Sequence, residues 1–252
     1  MNHGPQRIVC LSAEAADWFW RIGAWELVAG VTTFFTQPSG APKKPRVSGF
    51  SSANLPQIEE LNPDLIITFS DVQSQLAAEL IRRGFPVFAT NQRTLDEIED
   101  TLALLSRLVS HDGEKWLKEF RERLAPVERV SRRPRVYFEE WNEPLITGIG
   151  WVGELIERAG GEDIFSEMKS RRIARERTVL PEQVCRANPE IIFASWCGKP
   201  VERAEISSRR GWPETAAVRA GQIYEIPGED ILQPGFRLVH GFERMKSIIG
   251  QR

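Results

Sequence analysis

Two segments of the 252-residue sequence resemble each other, and this near-repeat constrains the fold more than any other feature. Residues 55–67 (LPQIEELNPDLII) resemble residues 180–192 (LPEQVCRANPEII), and the second copy has one residue inserted before its Asn-Pro pair. Each copy predicts a helix, an Asn-Pro-acid turn and a buried strand. Because a glycine and a further strand-like run follow each copy, we expect two similar α/β lobes.

Strand-like and helical runs alternate in both halves of the chain. In the first half, strands are predicted at 7–11, 27–33, 65–69 and 86–89, and helices at 13–22, 55–61 and 74–83. In the second half, strands are predicted at 135–138, 191–194 and 222–226, and a helix at 152–159. Such alternation is typical of the α/β fold class, with a central sheet in each lobe.

Between the halves, apolar residues keep near-helical spacing from position 95 to about 124, interrupted only at 111–113 (HDG). A helix of about 30 residues spans roughly 45 Å, which is longer than a small lobe is wide. We therefore expect one long rigid helix joining the lobes, with a ligand cleft between them. The predicted division is residues 1–93, N-terminal lobe; 94–125, connecting helix; and 126–252, C-terminal lobe.

Composition disfavours several functional classes. The formal net charge of −2 argues against a nucleic-acid-binding protein, and no window approaches the roughly 18 apolar residues of a membrane span. The cysteines and histidines lack ligand spacing, so no metal site is expected. The N-terminal sequence MNHGPQRIVCLS has no signal-peptide pattern. It predicts a cytoplasmic protein, or an extracytoplasmic one if a leader had been removed.

Several aromatic residues fall at or just past the predicted strand ends. They are Phe34, Phe50, Phe69, Trp141, Trp151 and Trp196. Any one of them is also compatible with a place in the core. Together at a cleft edge, they predict an apolar clamp for a large flat ligand, because each ring can bury about 150–250 Å².

Residues 148–153 (GIGWVG) match the Gly-x-Gly-x-x-Gly pattern of dinucleotide-binding folds. That fold needs a second strand ending in an acid about 20 residues later, and no such strand is predicted after Gly161. The bulky Trp151 would also crowd a pyrophosphate. A tight loop explains these glycines better, and a nucleotide-dependent enzyme is kept as an alternative.

Several motifs resemble those of the class III substrate-binding proteins of ABC importers. The motifs are residues 47–50 (VSGF), 54–55 (NL), 62–67 (NPDLII) and 159–165 (AGGEDIF), together with the long helix. The resemblance covers residues 7–250. This group includes cobalamin-binding and iron-siderophore or haem-binding proteins, and the sequence is most similar to the cobalamin-binding branch.

The resemblance implies non-catalytic binding of a corrinoid such as cobalamin, as a ligand and not as a cofactor, for uptake, salvage or delivery. The corrin ring is then expected to lie flat between aromatic side chains. The residues implied to stack or pack on it are Phe34, Phe50, Phe69, Trp141 and Trp196. Asp230 is implied to accept a hydrogen bond from an amide of the ligand.

The resemblance also implies an ABC permease as a partner, which meets one acidic residue on each lobe. The second lobe has Glu182 at the matching place, whereas the first lobe has Pro56 and Gln57. The first docking acid is therefore missing, and a cytoplasmic corrinoid-binding protein fits this pattern at least as well.

Two further hypotheses about function stay open beside corrinoid binding and a nucleotide-dependent enzyme. A haem or ferric-siderophore binder favours arginines in the cleft, for which Arg172, Arg175 and Arg237 are the candidates. The other is a protein-interaction module that kept the fold and lost its ligand.

Overall fold

A computed structural model describes residues 4–128 and 132–251 of the chain. The chain divides into two compact units, Met1–Phe120 and Arg121–Arg252. Each unit contains a sheet covered by helices, which confirms the α/β fold class with two lobes. Along the chain, the boundary after Phe120 falls inside the segment predicted to connect the lobes, and the three-part division at residues 93 and 125 stays a prediction.

The sheet of the first unit has five parallel strands in the order β3-β2-β1-β4-β5. They are β1 (Ile8–Cys10), β2 (Val28–Thr32), β3 (Arg46–Ser48), β4 (Leu65–Phe69) and β5 (Val87–Thr90). Because all five strands run in one direction, the loops that follow them lie at one edge of the sheet. The strand order reverses between β1 and β4, the kind of position where open α/β sheets bind ligands.

Four helices belong to the first unit with this sheet. They are α1 (Ala13–Arg21), α2 (Leu55–Leu61), α3 (Ser74–Arg82) and α4 (Leu95–Leu108). Side chains from β1, β3, α2, β4 and α3 form one apolar core: Val9, Leu11, Val47, Ile58, Ile66, Leu76 and Leu80. Strand β3 begins at the end of a run rich in proline and glycine, residues 36–46, and Val47 is its only apolar residue.

The stretch predicted as one long helix consists of two helices, α4 and α5 (Glu114–Arg123), so that prediction is wrong. Helix α4 stops at Val109, and Ser110 adopts a left-handed conformation with φ 54°. The carboxylate of Asp112 then accepts a hydrogen bond from the Glu114 N–H at 2.9 Å, which starts a new helix.

Close packing on the first unit also requires this break. A Cβ atom at Gly113 would collide with the Ser106 hydroxyl and with the indole of Trp18. These two side chains are joined by a buried hydrogen bond of 2.9 Å from Trp18 Nε1 to Ser106 Oγ. The interruption at His111-Asp112-Gly113 is therefore a helix stop, a cap and a point of close approach.

The sheet of the second unit has the order β10-β9-β6-β7, and a short strand β8 also pairs with β6. The strands are β6 (Arg135–Asn142), β7 (Leu145–Thr147), β8 (Glu162–Asp163), β9 (Ile191–Ala194) and β10 (Ile223–Glu225). Strands β6, β8, β9 and β10 are parallel, whereas β7 is antiparallel to β6. The helices are α6 (Gly150–Arg158), α7 (Pro181–Ala187), α8 (Arg203–Ser207), α9 (Ala216–Arg219), α10 (Gly228–Ile231) and α11 (Leu238–Ile249).

The two repeated segments fold alike. In each unit a seven-residue helix, α2 or α7, ends at an asparagine in the left-handed region, Asn62 with φ 43° or Asn188 with φ 48°. A proline and an acidic residue follow, and then a buried parallel strand, β4 or β9. Asparagine tolerates this conformation better than most residues do, which explains why it stands at both caps.

The acid after each proline binds the start of the first strand in its own unit. Asp64 accepts hydrogen bonds from the N–H groups of Gln6 at 2.7 Å and Arg7 at 2.9 Å, and Arg7 Nε donates to Leu61 O at 2.9 Å. We call this arrangement of arginine, acid and helix end the clasp.

The second unit has the same clasp. Glu190 accepts from the Arg135 N–H at 3.1 Å, and Arg135 Nε donates to Asn188 O at 3.0 Å. Each clasp satisfies carbonyl groups that a helix leaves unpaired at its C-terminal end.

None of the helices in residues 4–128 and 132–251 combines the length and apolarity that a bilayer crossing requires. In the same residues, no group of three or more His, Cys, Asp or Glu side chains is arranged to hold a metal ion.

Candidate functional site

The carboxyl edge of the first sheet exposes aromatic side chains. Phe34 follows β2 and is 39% exposed, and Phe50 follows β3 and is 51% exposed. Their ring centroids lie 5.9 Å apart at an interplanar angle of 77°, an edge-to-face pair. Because contiguous exposed apolar side chains often mark ligand-binding or interaction sites, this edge has the character of a binding surface.

A buried glutamine, which sequence reasoning missed, fixes the loops of this edge. The Nε2 atom of Gln73 donates to Leu11 O at 3.1 Å and to Phe50 O at 3.0 Å. Its Oε1 atom accepts from the Phe69 N–H at 2.9 Å. Gln73 therefore connects the loops after β1, β3 and β4, which positions Phe50 and Phe69 relative to each other.

Phe69, at the end of β4, is only partly exposed. The guanidinium carbon of Arg93 lies 5.3 Å from the centroid of the Phe69 ring, and Arg93 also pairs with Asp71 at 2.9 Å. Val72, in the loop after β4, is 43% exposed. We call Phe34, Phe50, Phe69 and Val72 the apolar edge of the first unit.

The carboxyl edge of the second sheet presents a lysine over two indole rings. Glu139 of β6 stands opposite Ala194 of β9, so these parallel strands end side by side. Trp141 lies at the end of β6, and Trp196 lies just past β9. The Lys199 ammonium is 4.6 Å from the Trp141 ring centroid and 4.8 Å from that of Trp196.

A buried ion pair lies beneath these rings. Glu139 is fully buried and accepts from Trp196 Nε1 at 3.0 Å and from the Arg209 guanidinium, whose NH2 atom is at 2.9 Å. Burial raises the pKa of Glu139, although Arg209 and Trp196 favour its charged form. Arg209 in turn stacks on Trp212, with its carbon 4.7 Å from the ring centroid. This network holds the Trp196 indole in the interior.

Two of the tryptophans predicted to contact a ligand are buried in the second unit, and their role toward a ligand stays a prediction. Trp151 is 1% exposed and donates from Nε1 to Ile231 O at 2.8 Å. Trp196 is 4% exposed and belongs to the apolar core of the second unit. Both rings follow strand-like runs, but a position in the sequence does not tell whether a side chain points into the sheet packing or out of it.

Asp230 forms an ion pair with Arg237, with 2.7 Å between Oδ1 and NH2, and both side chains are partly buried. Asp230 lies in α10, directly after β10, at the carboxyl edge of the second sheet. The residue implied as a ligand acceptor and one arginine of the anionic-ligand alternative thus neutralise each other. Arg172 and Arg175 are exposed. The role of Asp230 toward a ligand stays a prediction.

The glycines at 148–153 serve packing. The strand before them, β7, is antiparallel to β6, whereas a dinucleotide fold needs a parallel strand there. A Cβ atom at Gly153 would lie 2.7 Å from Asp163 Oδ2 and 2.7 Å from the Lys169 side chain, so α6 needs glycine at this contact. A second strand does follow Gly161, contrary to the prediction, but β8 has only two residues. This topology argues against a dinucleotide site.

Glu182 is exposed in the first turn of α7, beside Leu180, which is 61% exposed. On the matching helix α2, the exposed carboxylates are Glu59 and Glu60, one turn further along. Glu59 forms an ion pair of 2.6 Å with Arg83. The predicted docking role of Glu182 is compatible with this exposure and stays a prediction.

Comparison with known proteins identifies the family. The family profile described as "Periplasmic binding protein" matches residues 8–229. The chain belongs to the periplasmic binding protein family. This assignment accounts for the two α/β units, and it confirms the resemblance to importer substrate-binding proteins that the motifs carry. The cytoplasmic location expected from the N-terminus stays a prediction.

Individual members of the periplasmic binding protein family are similar along nearly the whole chain. The vitamin B12-binding protein of Vibrio cholerae is 28% identical over 251 residues, covering 95% of this chain and 87% of the relative. A cobalamin-binding protein of Halobacterium salinarum is 25% identical over 97% of this chain and 69% of its own length. The crystal structure of the periplasmic vitamin B12 binding protein of Vibrio cholerae superposes with a TM-score of 0.73, 24% identity and 98% coverage of both chains.

Proposed function

We propose that this periplasmic binding protein binds a corrinoid such as cobalamin and does not transform it. In the first unit the proposed contacts are Phe34, Phe50 and Phe69, and in the second unit they are Trp141 and Asp230. The mechanism is apolar packing against rings, completed by a few polar contacts. Relatives that carry the names vitamin B12-binding and cobalamin-binding protein support this choice of ligand.

The single observation that carries the proposal is the apolar edge of the first unit. The described part of the chain exposes six large hydrophobic residues: Phe34, Phe50, Val72, Ile81, Leu104 and Leu180. Three of these six lie at this one edge, where Gln73 fixes the loops. A preformed apolar surface at the carboxyl ends of parallel strands suits a large ligand with an extended apolar face.

The arginines at both edges are paired with carboxylates, which disfavours a strongly anionic siderophore. Arg93 pairs with Asp71 at the first edge, and at the second edge Arg237 pairs with Asp230. Arg177 is buried and pairs with Glu140 at 2.6 Å. Because these guanidinium groups already have carboxylate partners, they offer little net positive charge to an anionic complex.

The proposal includes delivery of the ligand to an ABC importer. The exposed N-terminal turn of α7, with Leu180 and Glu182, is the proposed docking surface in the second unit. The family supports an importer partner in general. The choice of Glu182 rests on the resemblance and on its exposure.

Titration with a panel of ligands tests the function directly. We expect cyanocobalamin to quench the tryptophan fluorescence at micromolar concentration, while haemin and a ferric hydroxamate siderophore bind much more weakly. Tight haemin or siderophore binding without corrinoid binding would overturn the proposal in favour of the corresponding alternative. If none of these compounds binds, the protein has the family fold but not the proposed function.

The substitution Phe50→Ala tests the proposed site. Burying a whole phenylalanine side chain stabilises by roughly 1.5–3 kcal/mol, and about half of this ring is still exposed, so we expect about 5- to 10-fold weaker corrinoid binding. The matched control is Ile81→Ala on α3, where the side chain is 59% exposed but lies away from the carboxyl edge. Equal affinities of the two variants would place the ligand elsewhere.

A further inference from the structure

Contacts within the chain hold Lys199 in place at the carboxyl edge of the second sheet. Its ammonium contacts the Trp141 and Trp196 rings and lies 2.6 Å from Asn142 Oδ1. Gly198, in the left-handed region with φ 77°, shapes the turn that brings the lysine back over the rings. Two cation–π contacts and one hydrogen bond thus fix a side chain that is ordinarily mobile.

Three carboxylates of β6 and α8, elements near Lys199, have other partners. Glu139 is bound by Arg209, and Glu140 by Arg177. Glu205 accepts from Asn142 Nδ2 at 2.5 Å and lies 3.5 Å from Arg209. Within residues 4–128 and 132–251, no carboxylate lies within ion-pair distance of Lys199. The ammonium is therefore a fixed positive charge that keeps donor capacity.

We propose that Lys199 is a specificity-determining residue that recognises an anionic group of the ligand beside the Trp141 ring. This inference rests on the proposed function. The role of Lys199 predicts a preference for complete corrinoids, whose nucleotide loop contains a phosphodiester. Cobinamides, which lack this loop and its phosphate, should not benefit from the lysine. Lysine donates to phosphate oxygens as a point charge, and a pre-positioned ammonium loses little side-chain freedom on binding.

The test compares cyanocobalamin with dicyanocobinamide on the full chain by isothermal titration calorimetry. We expect Lys199→Met to weaken cyanocobalamin binding about tenfold and to change dicyanocobinamide binding less than about twofold. Lys199→Arg keeps the charge and should retain most of the affinity. The loss caused by Lys199→Met should shrink as salt rises, because an exposed charge contact is screened. Lys246→Met, an exposed lysine of α11, is the matched control.

The other outcomes overturn the inference in distinguishable ways. Equal weakening of both corrinoids by Lys199→Met would show that the lysine acts only by holding Trp141. Tighter binding of both would show that the lysine occludes the ring and must be displaced. If the unmodified protein binds neither corrinoid, the proposed function fails and the inference fails with it. Thermal unfolding of each variant shows whether a loss of binding reflects a loss of folding.

Discussion

The rings at the two carboxyl edges differ in what a ligand can reach. Phe34 and Phe50 are exposed side by side, whereas Trp151 and Trp196 are buried and donate their indole N–H groups to partners inside the second unit. Trp141 is intermediate, with Lys199 over one face. Exposure thus separates ligand-contacting candidates from core residues that have the same place in the sequence pattern.

The Glu139–Arg209 pair gives the sharpest prediction for a single residue. Glu139→Gln removes the charge that compensates Arg209, which is only 14% exposed at its side chain. We expect a loss of roughly 3 kcal/mol in the free energy of unfolding, because breaking a buried pair leaves an uncompensated charge. Urea unfolding followed by tryptophan fluorescence measures it.

Glu205→Gln is the matched control for this substitution. Glu205 also lies near Arg209, at 3.5 Å, but its side chain is 45% exposed, so its removal should cost less than about 1 kcal/mol. Similar costs for Glu139→Gln and Glu205→Gln would show that the buried pair contributes no more than the exposed one.

At the scale of elements, the clasp explains why the repeated segments fold alike. In both units the acid after the proline accepts a hydrogen bond from the N–H of an arginine at or just before the first residue of the first strand. The side chain of that arginine donates to a carbonyl group at the end of the helix before the proline. The clasp therefore connects the start of a strand with a helix end and turn that lie 53 to 58 residues later in the chain.

We expect Glu190→Gln to lower the free energy of unfolding by about 1–2 kcal/mol near neutral pH. Burial opposes its charged form, but the Arg135 N–H and the neighbouring Arg132 and Arg135 side chains outweigh it and lower the pKa of Glu190. The charge of Glu190 therefore stabilises the folded chain at pH values above the ordinary pKa near 4.5. This stabilisation is lost as pH falls through the lower pKa of the folded chain.

The difference between the unmodified protein and Glu190→Gln should accordingly shrink in acid. Glu182→Gln, exposed on the adjacent α7, should change the free energy of unfolding by no more than about 0.5 kcal/mol. A pH-independent difference for Glu190→Gln would contradict the role of its charge in the clasp.

Much of the element pattern follows from the sequence because periodicity and turn residues report local structure. Helix α2 and the strands β4 and β9 have the predicted bounds. Strand β7 was not predicted, because three residues between turns give too short a pattern. The prediction of a single connecting helix was wrong because the apolar spacing continues across residues 109–113. The helix break there depends on the close contact of Gly113 with Trp18 and Ser106, and the sequence pattern does not report such tertiary packing.

The candidate site was predictable only in part, for a related reason. Sequence placed the aromatic residues at strand ends, and Phe34 and Phe50 are indeed exposed there. It gave no signal for Gln73, whose three hydrogen bonds join loops distant in sequence. It also could not distinguish Trp151 from Trp141, because burial depends on which helix or strand covers each ring.

At the scale of the whole molecule, buried carboxyl groups in both units set a pH dependence of stability. Burial raises the pKa of Glu14 in the first unit to about 7 and that of Asp163 in the second unit to about 6. The unfolded chain ionises near the ordinary values while the folded chain stays protonated. The contribution of each group to stability therefore falls as pH rises toward its folded value and is constant above it.

Glu14→Gln should remove the part of the pH dependence that comes from Glu14. Glu14 is 6% exposed, and its Oε1 atom has no hydrogen-bond partner in the described structure, so a neutral amide replaces a mostly neutral acid. Between pH of about 4.5 and 7, we expect the free energy of unfolding of the unmodified protein to fall by up to about 3 kcal/mol through Glu14. The variant should not show this decrease. Denaturant titrations at several pH values measure this.

Glu26→Gln, an exposed residue of the same unit, serves as the control for Glu14→Gln. It should follow the unmodified protein at every pH. Parallel pH profiles of Glu14→Gln and the unmodified protein would mean that Glu14 titrates as if it were in water.

The recurrence of the clasp has a consequence for the ancestry of the chain. Each clasp is complete within its own half, from the arginine to the acid, so a gene segment that encoded one half would carry it whole. Duplication and fusion of such a segment would yield two halves that still share the Asn-Pro-acid signature after their ring-bearing loops had diverged. Such an origin would be visible in the turns before β4 and β9, whereas the proposed ligand contacts lie at the opposite ends of the strands.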